Sequence, residues 1–131
     1  MYDLPYTAEQ LLPLTDAQAG IWFAQLRDPE NPIYKTGEYL VIDGKVDEPC
    51  FVEAVKTAID EVDSLHAKFV TTTEGPRMVI DRQNWQVERI DFSQQDAPLD
   101  AAVDWMKSEL KQPVDLEQGP LFVMALLKLS E

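Results

Sequence analysis

The stretch Leu12-Pro13-Leu14-Thr15-Asp16-Ala17-Gln18-Ala19-Gly20-Ile21-Trp22-Phe23-Ala24 decides how the chain is read. It opens a helix. Pro13 punctuates the incoming chain, and the Thr15 hydroxyl can cap the first turn. Gln18, three residues on, can return a bond to the Thr15 backbone N–H, which completes a capping box. Ile21 and Trp22 then supply an apolar stripe, and Leu26 extends it by one turn. Taken alone, this is a capped helix that docks a tryptophan into a core. Capping boxes are common and weak as functional signals.

Outward from this helix the chain alternates helical and extended patterns. Residues 1–12 form a polar, proline-punctuated lead-in. The first helix runs from about Thr15 to Leu26 and stops at Asp28-Pro29-Glu30-Asn31-Pro32, where two prolines forbid continuation. Tyr39 to Asp43 is a predicted strand closed by an Asp43-Gly44 turn. Asp47 caps a second helix, with Pro49 in its first turn. Phe51, Val52, Val55, Ala58, Ile59, Val62 and Leu65 follow the helical period, so one face is core and Lys56, Asp60, Glu61 and Asp63 face water. Ala67 to Thr73 and Met78 to Ile80, joined through Glu74-Gly75-Pro76, read as a β-hairpin. Val87, Ile90 and Phe92 suggest a further strand. Asp96 is expected to cap a third helix with Pro98 in its first turn, burying Leu99, Ala102, Val103, Met106 and Leu110. The run Leu121-Phe122-Val123-Met124-Ala125-Leu126-Leu127 predicts a strand buried on both faces. Helices interspersed among strands give an α/β or α+β chain with a largely covered sheet.

Composition narrows the function classes. At 131 residues the chain is one ordinary domain by length, and 45% hydrophobic with 27% charged residues is globular rather than disordered. Against 24 acidic residues stand 11 Lys and Arg, a net charge of −13. Nucleic acid and anionic membranes are disfavoured as partners, because both need a basic patch. The charge is first a statement about solubility. The single cysteine, Cys50, cannot form an intramolecular disulfide. No signal peptide follows Met1, and no apolar segment approaches the length of a membrane span. A cytoplasmic location is the expectation.

The inventory of reactive residues is thin. The one histidine, His66, has Asp63 nearby for an acid–base pair, but a histidine at a helix end more often meets the C-terminal carbonyls. It has no thiol or carboxylate partners at zinc-ligand spacing. Five glycines are scattered singly, so no phosphate-cradling loop is present. No serine sits in a nucleophile elbow, and the Asp60, Glu61 and Asp63 carboxylates read as a solvated helix face. Trp22, Trp85 and Trp105 are not interleaved with basic residues as a stacking platform would require. No catalytic residue, directly bound cofactor or metal ligand is assigned.

The opening helix does carry a resemblance. Thr15, Ala17, Gln18, Ile21 and Trp22 are similar to the first core motif of the condensation domains of nonribosomal peptide synthetases, a Ser/Thr-x-Ala-Gln followed by a hydrophobic residue and Trp. With Leu12-Pro13-Leu14 ahead of it, the segment most resembles the start of siderophore-type synthetases of the enterobactin kind. The family's second core motif, Arg-His-Glu-x-Leu-Arg-Thr-x-Phe, has its counterpart in Glu61-Val62-Asp63-Ser64-Leu65-His66-Ala67-Lys68-Phe69. Leu65 and Phe69 match outright and Asp63 conservatively, while Glu61 and His66 stand where the family has arginines. In the family, arginine at the His66 position is associated with support of the active site. Gly75-Pro76-Arg77-Met78-Val79 resembles the hairpin that follows. Pro113-Val114-Asp115-Leu116 before Gly119-Pro120-Leu121-Phe122 resembles the lead-in to a central strand.

The resemblance implies an α+β fold: part of one chloramphenicol-acetyltransferase-like lobe, a mixed sheet packed with about three helices. It also implies that residues 1–131 are the front of a domain several times longer. The family's catalytic His-His-x-x-x-Asp-Gly signature follows the central strand by about twenty residues, an ordinary loop plus strand, and lies beyond Glu131. The implied parent chemistry is amide formation between thioesters held on the phosphopantetheine arms of carrier proteins. The implied partners are an upstream aryl or peptidyl carrier protein and the rest of the synthetase. The alternative is a non-catalytic acidic docking module derived from the same lobe, motivated by Glu61, His66 and the missing signature. Continuation of the gene into that signature excludes the docking module, and a stop codon excludes the synthetase. The isolated chain is expected to be inactive and to dimerise through the apolar run Leu121 to Leu127 if that run is left as an edge.

Overall fold

A computed structural model describes residues 5–130. Among these the α-helices are α1 (Asp16–Arg27), α2 (Glu48–Asp60) and α3 (Pro98–Leu110). The strands are β1 (Leu12–Pro13), β2 (Ala67–Thr72), β3 (Gly75–Ile80), β4 (Glu88–Asp91) and β5 (Ala125–Lys128). The strands form an antiparallel sheet in the order β1-β3-β2 and a separate parallel pair, β4-β5, whose crossover carries α3. The fold is α+β.

The predicted capping box forms. The Thr15 hydroxyl accepts from the Gln18 backbone N–H at 3.3 Å, and Gln18 Oε1 accepts from the Thr15 N–H at 2.9 Å. Two orphan donors of the first turn are thereby satisfied. Pro13 sits on the short edge strand β1, where a missing donor is tolerated. The proposed lead-in is therefore more structured than expected: Ala8–Gln10 is a 3-10 turn with its own Thr7/Gln10 capping box, and Leu12 pairs with Met78. Residues 1–4 of that lead-in lie outside the described residues.

The β2–β3 hairpin also forms, with Thr72 facing Gly75 across the reversal. Thr73 and Glu74 keep negative φ, so the left-handed residue needed to re-enter the sheet is Gly75, at φ +105°. The core is apolar: Val79 is fully buried, and Trp22, Val52, Ile59, Ala67, Phe69, Val70, Val87 and Ala102 are nearly so.

Several sequence expectations need correction. Tyr39 to Asp43 is not a strand: the segment is irregular and exposed, with Leu40 at 83%. A strand exists only where a second edge accepts its N–H and C=O groups, and no described strand runs beside it. The α1 stripe narrows to Trp22 and Gln25, while Ile21 and Leu26 face outward. Helix α2 ends at Asp60 rather than continuing to Leu65, because Val62 is extended and Leu65 belongs to a 3-10 turn, Asp63–His66. Asp96 does not cap α3. The N-cap is Ala97, and Pro98, with its fixed φ, starts the helix; Leu99 is exposed. The apolar run is a strand only over Ala125–Lys128, and its side chains are half-buried rather than covered on both faces.

Long-range polar ties complete the scaffold. Lys68 Nζ on β2 lies 2.5 Å from Asp81 Oδ2 just past β3, and the Tyr6 hydroxyl donates to the same oxygen at 3.1 Å. The bond from Lys68 holds the Asp81 carboxyl below its ordinary range, the Tyr6 bond adding to it against a smaller opposing cost of burial. The bond to Asp81 raises Lys68 above its ordinary range, with Tyr6 adding again and burial opposing. Elsewhere, Lys35 Nζ binds the carbonyl and carboxylate of Glu109 at 2.8 and 2.7 Å, which pins the segment after α1 to the end of α3.

Two outcomes follow. Gly20 sits inside α1 with open space around it, whereas Gly75 has open space but a positive φ. Gly20→Ala should stabilise the chain by about 0.5–1 kcal/mol, and Gly75→Ala should destabilise it by about 1–2 kcal/mol, both read from denaturant midpoints. The Lys68–Asp81 pair should contribute fully between the ordinary carboxylate and lysine ranges. Its contribution should fall away as pH drops through the lowered Asp81 value or rises through the raised Lys68 value. Asp81→Asn should cost about 1–2 kcal/mol near neutral pH and flatten both limbs of the stability–pH curve.

Candidate functional site

The two motif segments, far apart in sequence, meet on β3. Gln18 serves the α1 cap through its Oε1, and its Nε2 reaches Met78 Sδ at 3.6 Å. Met78 is the register partner of both Leu12 on β1 and Phe69 on β2. The first motif (Thr15, Ala17, Gln18, Ile21, Trp22) and Phe69 of the second are thus joined through one β3 residue. A thioether is a weak acceptor, so what this contact fixes is position rather than a large energy. Trp22 is buried with its ring edge-on to Phe23, centroids 5.0 Å apart, while Ala17 lies exposed on the first turn.

The remaining second-motif residues occupy the turn between α2 and β2. Leu65 is half-buried there, and the His66 side chain is only 3% exposed. His66 Nε2 donates to the Ile59 carbonyl at 3.2 Å, so the ε nitrogen carries the proton. The histidine therefore adds a side-chain donor to a carbonyl of the last turn of α2 that already accepts the Val62 N–H at 3.0 Å. Its nearest carboxylate is Asp60, with Oδ1 at 3.6 Å, and not Asp63. Asp63 instead pairs with Arg82 at 2.6 Å, and the same guanidinium donates to the Asp60 carbonyl. The acid–base pair suggested for His66 and Asp63 is replaced by a clamp on the end of α2. Trp85 joins it by donating Nε1–H to Asp60 Oδ1 at 3.1 Å, and stacks edge-on against Phe122 at 5.2 Å.

Further contacts had no local sequence signal. Beyond β2, the Phe69 N–H donates to the Leu116 carbonyl at 2.8 Å and the Thr71 hydroxyl to Glu117, so the 113–117 segment flanks the hairpin. Gln25, nine-tenths buried, donates to the carbonyls of Asp28 and Pro29 and folds the chain back after α1. The contacts of Met78 and Arg82 and the Tyr6–Asp81–Lys68 cluster likewise carry no local signal. Their partners are many residues away, beyond the reach of a local pattern. Among the described residues no three His, Cys, Asp or Glu side chains converge as a metal site, and no helix is long and apolar enough to cross a membrane.

The geometry has close relatives. A condensation-domain family model matches residues 8–131. A dimodular nonribosomal peptide synthase of Bacillus subtilis is 44% identical over 94% of this chain and 5% of its own length. Enterobactin synthase component F of Escherichia coli is a more distant relative, 28% identical over 93% of this chain and 10% of its own. Among solved structures, the starter condensation domain of rhizomide synthetase superposes with a TM-score of 0.89 at 38% identity, covering 93% of this chain and 28% of that one. Its neighbours place the α+β fold in the chloramphenicol-acetyltransferase-like class. The chain thus spans a small part of the length of the proteins it matches. A match over nearly all of its residues, in sequence and in backbone, settles its kinship: the chain belongs to the condensation-domain family of nonribosomal peptide synthetases.

Proposed function

We propose that residues 1–131 form the front of the N-terminal lobe of a condensation domain that joins an acyl thioester to an amine, both held on carrier-protein phosphopantetheine arms. The supporting observation is the unbroken family match over residues 8–131, with the two motif segments tied together at Met78. In that reaction the amine nitrogen attacks the thioester carbonyl, the C–S bond breaks, and the proton lost by nitrogen leaves with the thiol. No residue of the chain is assigned to a proton transfer. His66, the one imidazole, is buried with its Nε2 proton engaged on Ile59. The described residues act as scaffold: Gln18, Trp22, Leu65, His66 and Phe69 hold the floor of a lobe whose reacting groups come from elsewhere in the synthetase.

The donor is an acyl or aryl group. The first is favoured by the likeness to a starter condensation domain whose structure was solved with C8-CoA. The aryl, siderophore-type donor expected from the opening motif keeps weaker support, from relatives such as vanchrobactin synthetase, 29% identical over 79% of this chain. The docking-module reading rests on His66, which caps a helix where the family pattern has a charged arginine. A cytoplasmic location fits the carrier-protein chemistry. The free edge of β5 is where a second copy, or the rest of the synthetase, would pair.

The test supplies an octanoyl carrier thioester and an aminoacyl carrier thioester to the full synthetase and to the 131-residue chain, with amide product read by mass spectrometry. The synthetase should give product and the chain none. Product from the chain that disappears in His66→Gln would overturn the scaffold assignment, and a synthetase unable to condense the pair would favour the docking module.

A further inference from the structure

Helix α1 carries Gln18, Trp22 and Gln25 at i, i+4 and i+7, on a single face. Trp22 is buried and anchors that face. Apolar burial is non-directional, so it holds the helix against the core without fixing how far the helix slides or turns. A hydrogen bond does fix this, because it demands a distance and an angle. Among the described residues one hydrogen bond runs from an α1 side chain to a strand: Gln18 Nε2 donates to Met78 Sδ at 3.6 Å. The other described bonds of α1 side chains are local, between Gln18 and Thr15 and from Gln25 to the carbonyls of Asp28 and Pro29.

A second observation concerns the residue type. The cap asks only for an acceptor at position 18, and Glu closes a capping box as well as Gln does. A carboxylate there would also meet the positive end of the helix dipole, and the chain uses 24 acidic residues elsewhere. Cap energetics alone therefore favour Glu. An ionised Glu lacks a donor, and the donor of Gln18 is what Met78 receives. Gln10 is the contrast: it closes the Thr7 box through Oε1 in the same way, and its Nε2 has no described partner.

We infer that Gln18 is a positioning residue for the condensation reaction proposed above, its amide oxygen holding the helix end while its amide N–H seats α1 on β3. The inference rests on that reading of function. Met78 is in register with Leu12 and Phe69, so the seat lies where both motif segments meet. No residue of the chain is assigned to a proton transfer, and what the chain brings to turnover is the geometry of the lobe. Trp22 supplies the burial, and Gln18 supplies the registration.

The experiment measures steady-state condensation by the full-length synthetase that carries this chain, with octanoyl and aminoacyl carrier thioesters, and hydrogen exchange across α1. In Gln18→Glu, kcat should fall about ten-fold, short of the roughly hundred-fold loss that a 1 Å misplacement can bring, with both KM values unchanged. Exchange across α1 should be unaltered, because the cap survives. Met78→Leu, which conserves volume and removes the acceptor, should reproduce the fall. Gln10→Glu should leave turnover unchanged. Gln18→Glu combined with Met78→Gln restores a donor facing an acceptor and should recover most of the lost turnover. Turnover in Gln18→Glu equal to that in Gln10→Glu, no recovery in the combined variant, a raised KM at constant kcat, or α1 amides that lose their protection would overturn the assignment. A synthetase that makes no amide before any substitution would overturn the condensation reading itself.

Discussion

Val79 sits near the C-terminal end of β3 with no solvent exposure, and the antiparallel pairing of that strand with β2 is the constraint on which the remaining contacts rest. Full burial of a valine is worth about 1.5–3 kcal/mol, and here it is secured by ladders on both sides, to β2 and to β1. The neighbouring residue, Met78, is the point where Leu12, Gln18 and Phe69 converge. Removing the hairpin would leave the capping box of α1 intact as a local device, but with nothing to orient it. The same strand delivers Asp81 to Lys68 and Tyr6 at its end, and Arg82 to the end of α2 one residue later. A single β-strand therefore sets the position of both family motifs.

Local devices were readable from the residues alone. The Thr15/Gln18 box, the Asp47 cap on Cys50 N–H and the Gly75 reversal all have their partners within a few residues. What could not be read depends on partners distant in the chain. The pattern of Tyr39 to Asp43 is that of a strand, but hydrophobicity does not state whether an edge waits for it, and among the described residues none does. The run from Leu121 to Leu127 is apolar throughout, yet only Ala125–Lys128 finds the β4 ladder, because pairing, not composition, decides which part is strand. His66 was legible as a helix-end histidine, whereas its bond to Ile59 requires the α2 terminus and a 3-10 turn to fold against each other.

The departures from the family's second motif acquire a physical meaning in this geometry. A buried arginine needs an anion or several acceptors around it. The histidine ring N–H needs one acceptor, and the Ile59 carbonyl supplies it. The charge at this end of α2 is carried instead by Arg82, which bonds Asp60 and Asp63 from the strand side. The turn is thus held by the His66–Ile59 bond together with Arg82 on Asp60 and Asp63.

The central claim, that β3 is the hub through which both motif segments are positioned, is tested most directly by native-state hydrogen exchange. The β2–β3 ladder amides around Val79 should exchange only through global unfolding and be the most protected in the chain. Residues 39–43 should exchange close to the unprotected rate. Ladder amides around Val79 that exchange as fast as residues 39–43, or well before α1 opens, would contradict it.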